Sequence, residues 1–477
     1  MTALSETSQP IELLLSVARG GGRTLGAQIE DQLRRAIREG ALRDGTEVPS
    51  TRDLARQLGI SRRVVVDAYA QLASEGYLNL RQGARPRVSE NAAVVRAAAA
   101  ESIPAPARLR FDFRPSRPDL SAFPRASWLR SLRTALATMT DAELGYGDPR
   151  GATVLRSALA DYLGRVRGVV VEPERVVVTS GYAQGLALVC RALAAAGAKR
   201  IGMEDPSNLD DQAIVTGAGL EAVPIGVDGD GLRVDELARL APDAVIVTPA
   251  HQQPTGVVLS RERRLALVAW LRERGVVAIE DDYDAEYRYD RAAVGALQGL
   301  APEQIVYAGT TSKTLAPALR LGWLVVPDSL LEAVTDAKLV ADRGASRIEE
   351  YAFADFLARG ELDRHLRRMR ARYRKQRDAL IRALADELPE AVITGISAGL
   401  HATVQLPHGY DAEAIRAEAR RRRIYLETMS DFRIGPSTSP STGPPTLMLG
   451  YAQTPEPTIR AGIRELAEAV RATRIAV

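Results

Sequence analysis

From Val176 onward, short runs of β-branched residues alternate with stretches of helical periodicity, and few folds accept that pattern. Strands are expected over 176–178, 200–203, 244–248, 276–280, 305–308 and 321–326, with helices such as 185–196 and 261–274 between some of them. Strand, helix and strand in succession require a crossover, so the alternation predicts an α/β domain built on a largely parallel sheet. Sheets of this kind bind ligands beyond the carboxyl ends of their strands. The residues just after each expected strand are therefore where chemistry is to be sought.

Those residues form a non-random set. Ser180–Gly181–Tyr182–Ala183–Gln184 makes a glycine turn that opens a helix; Pro249–Ala250–His251–Gln252–Gln253–Pro254–Thr255–Gly256 follows the third strand. Asp281–Asp282–Tyr283 follows the fourth, and Gly309–Thr310–Thr311–Ser312–Lys313 the fifth. Of 63 basic residues only Lys199, Lys313, Lys338 and Lys375 are lysines, so a primary amine on this rim is notable. A phosphorylated pyridine aldehyde uses this combination: lysine forms a Schiff base with the aldehyde, an Asp pairs with the pyridinium nitrogen, and a phenol bonds the ring 3-oxygen. Hydroxyls, a helix N-terminus and an arginine, here Arg320, hold the phosphate. Each piece alone is weak, since a strand-end Asp is often a turn former. Together they favour a pyridoxal 5'-phosphate (PLP) site over a generic α/β core.

The formal charge of +3 is unevenly spread. Between Arg23 and Val88 twelve arginines stand against eight acidic residues, which leaves a balance of −1 for all the rest. Placement gives that excess its meaning. Gln28, Ile29, Leu33, Ile37 and Leu42 recur at helical spacing. Ser50 caps a short helix over 51–58, Gly59 supplies a tight turn, and Ser61 caps a second helix from Arg62 to about residue 75. Val65, Ala68, Tyr69 and Leu72 form its inward stripe.

This is the helix-turn-helix layout, in which the first residues of the second helix, here Ser61, Arg62 and Arg63, face base edges in the major groove. After Gly76, residues 77–80 and 87–88 flank Arg81–Gln82–Gly83–Ala84–Arg85–Pro86, a two-stranded wing whose Arg81 and Arg85 suit phosphate or minor-groove contact. A helical module for protein contacts, with solvated arginines, is the other reading of the same residues.

Residues 90–108 are rich in Ala and Pro without sustained apolar periodicity and read as a linker. It divides an N-terminal domain over 11–89 from a second over 109–477, and 477 residues are ample for both cores. A single cysteine, Cys190, excludes an internal disulfide framework and a cysteine metal cluster; it lies in an apolar run, as a buried inert thiol would, and no metal is expected. With 46% hydrophobic and 26% charged residues the chain is neither mainly disordered nor fibrous. No stretch reaches the ~18 uninterrupted apolar residues of a membrane span, and residues 1–10 lack the basic and apolar regions of a signal peptide. A cytoplasmic protein with no membrane partner is expected.

Two resemblances extend this reading. Pro49–Ser50–Thr51–Arg52–Asp53–Leu54–Ala55, Leu58–Gly59–Ile60–Ser61–Arg62 and the run from Ala68 to Tyr77 resemble the winged helix-turn-helix of GntR-superfamily regulators. That likeness implies DNA contacts at Arg52, Ser61 and Arg62, although the wing departs from the usual Gly-x-Gly-Thr end. Thr310–Thr311–Ser312–Lys313–Thr314–Leu315–Ala316–Pro317, with Arg320–Leu321–Gly322–Trp323, resembles the cofactor-lysine motif of fold-type-I aminotransferases. Tyr146–Gly147–Asp148–Pro149–Arg150–Gly151, His251 to Gly256, Glu280 to Asp284, His365 to Arg370 and Ala398–Gly399–Leu400–His401 add to it. The whole architecture is similar to the MocR family, a GntR-type reader fused to an aminotransferase-like domain with a mostly parallel sheet. The resemblance implies Lys313 as the catalytic residue that joins PLP, Asp281 at the pyridine nitrogen and Tyr283 at the 3-oxygen. The phosphate falls to backbone near Tyr182 and Ala183, to Thr310, Ser312 and Arg320, and to Tyr146 of a partner subunit, hence a homodimer.

Three positions depart from the family pattern. Asn208 stands where an aromatic stacks on the pyridine ring, and Gln253 where an Asn lies near the 3-oxygen. Thr446 stands where an arginine takes the substrate α-carboxylate, and Arg343, Arg347 and Arg433 are the candidates to replace it. A threonine cannot reproduce a bidentate guanidinium–carboxylate contact. The expected protein is a PLP-binding regulator on a double-stranded operator, sensing PLP or an amino compound, with vitamin B6 supply suggested by a subgroup of the family. A working aminotransferase with a DNA-binding extension and a scaffold that has lost its cofactor are the rival readings.

Overall fold

The computed structural model describes residues 15–19, 23–81, 83–89, 109–289, 294–434 and 444–474. The chain divides into two compact units, Met1–Pro106 and Ala107–Val477. The linker expected over 90–108, and Gln82 in the wing, lie outside the described residues.

In the first unit, helices Leu25–Arg38, Thr51–Leu58 and Arg62–Ser74 precede an antiparallel hairpin of Leu78–Asn79 and Arg87–Val88. The hydroxyls of Thr24, Ser50 and Ser61 each accept a backbone N–H in the first turn of their helix. Gly59 ends the middle helix at φ +63°, a left-handed conformation that glycine adopts without steric cost. Ile29, Leu33, Leu54, Val65, Tyr69 and Leu72 are completely buried together. The Tyr69 hydroxyl donates to the Pro49 carbonyl at 2.9 Å, tying helix Arg62–Ser74 to the segment that enters the middle helix.

The second unit is built on an eight-stranded sheet. Its order is Val176–Thr179, Gly322–Val325, Ile305–Thr310, Val277–Asp282, Ala244–Val247, Arg200–Asp205, Glu221–Asp228 and Gly231–Leu232. Six of these strands share one direction, five of them as paired neighbours; Gly322–Val325 is antiparallel to both neighbours, and Gly231–Leu232 closes the far edge in a hairpin. Successive side chains leave opposite faces, as strand geometry demands. Ala244 and Ile246 pack with Leu186, Val189 and Leu193 of helix Tyr182–Ala195, whereas Val245 and Val247 pack with Leu267 and Leu271 of helix Arg261–Arg274. Cys190 belongs to the first of these layers, and burial pushes its thiol up to about 12.

The six strands expected from sequence all form, with no end displaced by more than two residues. The sequence reading did not anticipate strand Glu221–Asp228 or the four-stranded antiparallel sheet of Val392–Thr394, His401–Gln405, Thr446–Gly450 and Glu427–Thr428. Among the described residues no helix is long and apolar enough to cross a membrane, and no group of three or more His, Cys, Asp or Glu could hold a metal ion.

Candidate functional site

Register places the strand-end residues in one row. Thr179 pairs with Gly322, Gly322 with Thr310, and Asp281 and Asp282 with Ala308 and Gly309. Gly322 must be glycine here, because a Cβ would lie 2.9 Å from the Gly181 backbone and 3.0 Å from the Gly309 carbonyl. The row therefore closes tightly, and the loops carrying Gly181, Tyr283 and Lys313 leave it on the same side.

At one end is an open helix N-terminus. Gly181, at φ +94°, is the N-cap of helix Tyr182–Ala195, with no side-chain cap, so its first N–H groups point outward beside half-buried Tyr182 and exposed Ala183. A Cβ on Gly181 would stand 3.3 Å from the Arg320 guanidinium. Arg320, held at φ +50° after the short turn Pro317–Leu319, has no carboxylate within ion-pair distance among the described residues. The Thr310 hydroxyl donates to the Ser312 hydroxyl at 3.0 Å and accepts from the Ser312 N–H at 3.2 Å. Helix terminus, guanidinium and hydroxyls are a combination that binds phosphate.

At the other end is a carboxylate without a partner. Asp281 is 7% exposed, and its Oδ1 is buried with no hydrogen-bond donor among the described residues. Burial pushes its carboxyl well above the ordinary Asp range, as do the charges of Asp211 and Asp282, against the pull of Lys313. Burial also holds the half-buried Lys313 amine below the ordinary lysine range, against the attraction of Asp284 and then Asp281. A protonated ring nitrogen is the donor that Asp281 lacks, and a depressed lysine is the amine an aldehyde accepts. The residues present fit PLP on these observations.

Tyr283 is 5% exposed. Its hydroxyl donates to the His251 carbonyl at 3.0 Å and lies 3.1 Å from His251 Nδ1, which is 3.0 Å from Asp284 Oδ2. Gln253 is half-buried, its backbone N–H donating to the Thr248 hydroxyl at 3.3 Å. Asn208 caps helix Leu209–Gly217, and its side-chain amide donates to Asp211 Oδ1 at 3.2 Å. Asp211 Oδ2 accepts the Tyr182 hydroxyl at 3.2 Å. The residue without a stacking ring thus braces the segment that opens the phosphate end of the rim. Burial lifts Asp211 to about 7.

Not every residue singled out from sequence joins this set. Tyr146 is 87% exposed, with the Arg343 guanidinium 5.9 Å from its ring centre. The Thr446 hydroxyl donates to the Pro444 carbonyl at 2.8 Å. Of the three arginines considered as its replacement, Arg433 pairs with Asp205 at 3.3 Å, Arg347 donates to the Asp148 carbonyl at 3.0 Å, and Arg343 lies over Tyr146. Sequence reasoning missed Arg117, whose positive charge acts on Lys313. Nothing in a single sequence separates it from its arginine neighbours, although Ser116 before it is held at φ +57°.

In the reader, Arg52, Ser61, Arg62, Arg63, Arg81 and Arg85 are all exposed. The Ser61 hydroxyl is engaged as the cap, accepting the Arg63 N–H at 3.3 Å, and Arg62 Nε reaches back to the Thr51 hydroxyl at 3.4 Å. Arg63 is 4.0 Å from Asp67 one turn on; Arg52, Arg81 and Arg85 form no ion pair among the described residues. The unit thus exposes several guanidinium groups with little internal neutralisation.

Comparison with known proteins divides the chain along the same line. Residues 25–88 match the bacterial regulatory proteins of the gntR family, and residues 120–462 match aminotransferase class I and II. The HTH-type pyridoxine biosynthesis transcriptional regulator PdxR of Corynebacterium glutamicum is 31% identical over 456 residues, 94% of this chain and 96% of the relative. The probable rhizopine catabolism regulatory protein MocR of Rhizobium meliloti is 32% identical over 469 residues, 93% of each chain. Among solved structures, the multiple substrate aminotransferase of Thermococcus profundus superposes with a TM-score of 0.69 at 25% identity, covering 76% of this chain and 91% of that one.

Proposed function

Because the chain belongs to the aminotransferase class I and II family and carries a gntR-family regulatory domain ahead of it, we propose that it is a transcriptional regulator that binds operator DNA through one domain and senses PLP or an amino compound through the other. The observation that carries this reading is the buried, unpartnered Oδ1 of Asp281 on the same rim as Lys313, in a chain whose other unit exposes arginines on a helix-turn-helix. The relative named for pyridoxine biosynthesis favours control of vitamin B6 supply.

When bound, PLP supplies an aldehyde that takes a primary amine and a ring that withdraws electrons. Lys313 offers that amine, and its depressed affinity for protons keeps more of it uncharged than a surface lysine would be. Asp281 would hold a proton at the ring nitrogen. The N-terminus of helix Tyr182–Ala195, Thr310, Ser312 and Arg320 would bind the phosphate, Tyr283 and Gln253 would serve the 3-oxygen, and Asn208 stands at the ring-stacking position. Tyr146, exposed in one chain, completes the phosphate site of a partner in a homodimer. The Thr446 hydroxyl, turned toward Pro444, leaves the α-carboxylate position without a guanidinium, which favours a sensor over a working transaminase.

The test is operator affinity of apo and PLP-loaded protein. Coupling is reciprocal, so PLP must also bind differently when operator is present. Equal operator affinity of the two forms would remove PLP as effector, and steady turnover of an amino donor with a keto acid would favour the enzyme instead. In the reader, Arg62→Ala is expected to weaken specific binding by about 1–3 kcal/mol and relax selectivity at one base pair, as loss of a base contact does. Arg85→Ala, at the wing, serves as contrast: it should lower affinity on all sequences and flatten the salt dependence. Unchanged operator affinity takes Arg62 out of recognition.

A further inference from the structure

Three motifs noted in the sequence as separate signatures meet in one buried assembly. His251 comes from the loop after strand Ala244–Val247, Asp284 from the loop after Val277–Asp282, and Gly399 lies just ahead of strand His401–Gln405 in the smaller sheet. The side chains of His251 and Asp284 are 0% and 1% exposed, with Nδ1 and Oδ2 3.0 Å apart. His251 Nε2 is 3.4 Å from the Gly395 carbonyl. Gly399, at φ +79°, leaves them room: a Cβ there would run into both the His251 ring and the Asp284 carboxylate. Its carbonyl is fixed in turn by the hydroxyls of Tyr289 and Tyr451, at 2.7 and 2.8 Å.

This assembly grips one group of the cofactor site. The Tyr283 hydroxyl touches His251 twice, through the backbone carbonyl at 3.0 Å and Nδ1 at 3.1 Å. With Nδ1 protonated toward Asp284, the same N–H edge faces the phenol oxygen, while the phenol's own proton goes to the His251 carbonyl. Two residues therefore determine where Tyr283 stands and supply the phenol oxygen with a second partner, so that its proton can pass from the His251 carbonyl to a 3-oxygen without the ring moving. We propose that His251 and Asp284 are a positioning pair for Tyr283, through which they set the pH at which the absorbance of Lys313-bound PLP changes. The proposal rests on the PLP reading above.

The surroundings suit that role. Burial disfavours a charged His251, but the charge and hydrogen bond of Asp284 outweigh it and hold the imidazole above its ordinary value. His401, with its ring centre 5.3 Å from that of His251, is driven down to about 4 by burial and by the neighbouring His251, so it stays neutral at working pH and its Nε2 donates to the Pro254 carbonyl at 3.1 Å. The other charged groups facing the assembly are Lys313, Asp281 and Glu204 from the rim and Arg288 beyond it. A phenol that donates to the 3-oxygen stabilises negative charge there, so the amine nitrogen that Lys313 places beside it holds its proton less tightly. If the phenol is released, that proton persists to higher pH.

The experiment is a pH titration of the visible absorbance of the PLP-loaded full chain as wild type, His251→Gln, Tyr283→Phe and the double variant. His251→Gln is expected to raise the midpoint by about one unit in the wild-type background and to add nothing in the Tyr283→Phe background. Asp284→Asn also removes a negative charge that steadies the Lys313 proton, so its shift is compared with that of the same change in the Tyr283→Phe background, where it is expected to lie about one unit lower; this comparison replaces His251→Gln if that variant does not fold. An unmoved midpoint, or an equal rise with and without the Tyr283 hydroxyl, overturns the proposal; the latter places the effect on Lys313 directly. A wild-type protein that shows no visible band with PLP overturns the cofactor reading itself.

Discussion

Lys313→Ala is expected to abolish the visible absorbance that PLP confers and to let the cofactor wash out on gel filtration. The groups proposed for the phosphate are untouched by the change: the helix terminus at Gly181, the Thr310 and Ser312 hydroxyls and Arg320. What is lost is the bond to the aldehyde, and affinity should fall by at least a hundredfold, about 2.7 kcal/mol. No other lysine can substitute. Lys338 is completely buried and paired with Asp342 at 2.9 Å. Lys199 immediately precedes strand Arg200–Asp205, at the end opposite the rim, and Lys375 is exposed on helix Glu361–Glu387. The scarcity of lysine thus turns a common mutational test into a sharp one. If operator affinity responds to PLP in the wild type, the response should disappear in this variant together with the band; a retained band would remove Lys313 from its role.

Why the rim was legible and the device behind it was not has a physical explanation. Valine- and isoleucine-rich strands buried on both faces leave a strong local signal, and a ligand group placed directly after a strand inherits its position from that strand. Asp281, Tyr283, Thr310 and Lys313 needed no knowledge of distant contacts. His251 and Asp284 lie 33 residues apart and meet only because strands Ala244–Val247 and Val277–Asp282 are neighbours in the sheet, and they fit only because a glycine from a third element stands aside. No local pattern encodes such a meeting.

Direction was equally hidden. The run Leu321–Val326 reads the same for either strand sense, and it is the turn at Pro317–Leu319, with Arg320 at φ +50°, that sends the chain back between two strands of opposite sense. That reversal is what sets Arg320 beside Gly181. Asn208 illustrates the converse: its sequence position shows only the loss of an aromatic, whereas its capping bond and its hold on Asp211 need the helix to exist before they mean anything.

Asp281→Asn should act with opposite signs on the two forms of the protein. In the apo chain the Asp281 carboxyl is buried with one oxygen unpartnered, and burial raises its pKa well above the unfolded value of ~3.9. The folded state then retains a proton that the unfolded state has released, so this group's contribution is greatest below the unfolded pKa. It is lost progressively as pH rises toward the folded value. Asparagine has nearly the same shape and no charge to bury, so the apo variant is expected to be more stable at neutral pH by about 1–3 kcal/mol, with a flatter dependence on pH. In the loaded protein the carboxylate has its partner, and the same substitution removes one half of a buried charge pair, which costs about 2–5 kcal/mol of PLP affinity. Thermal melts with and without PLP, at pH 5 and pH 7, measure both effects in one preparation. A purely structural role for Asp281 would move all the melts in the same direction; only a carboxylate kept for an absent cation separates them.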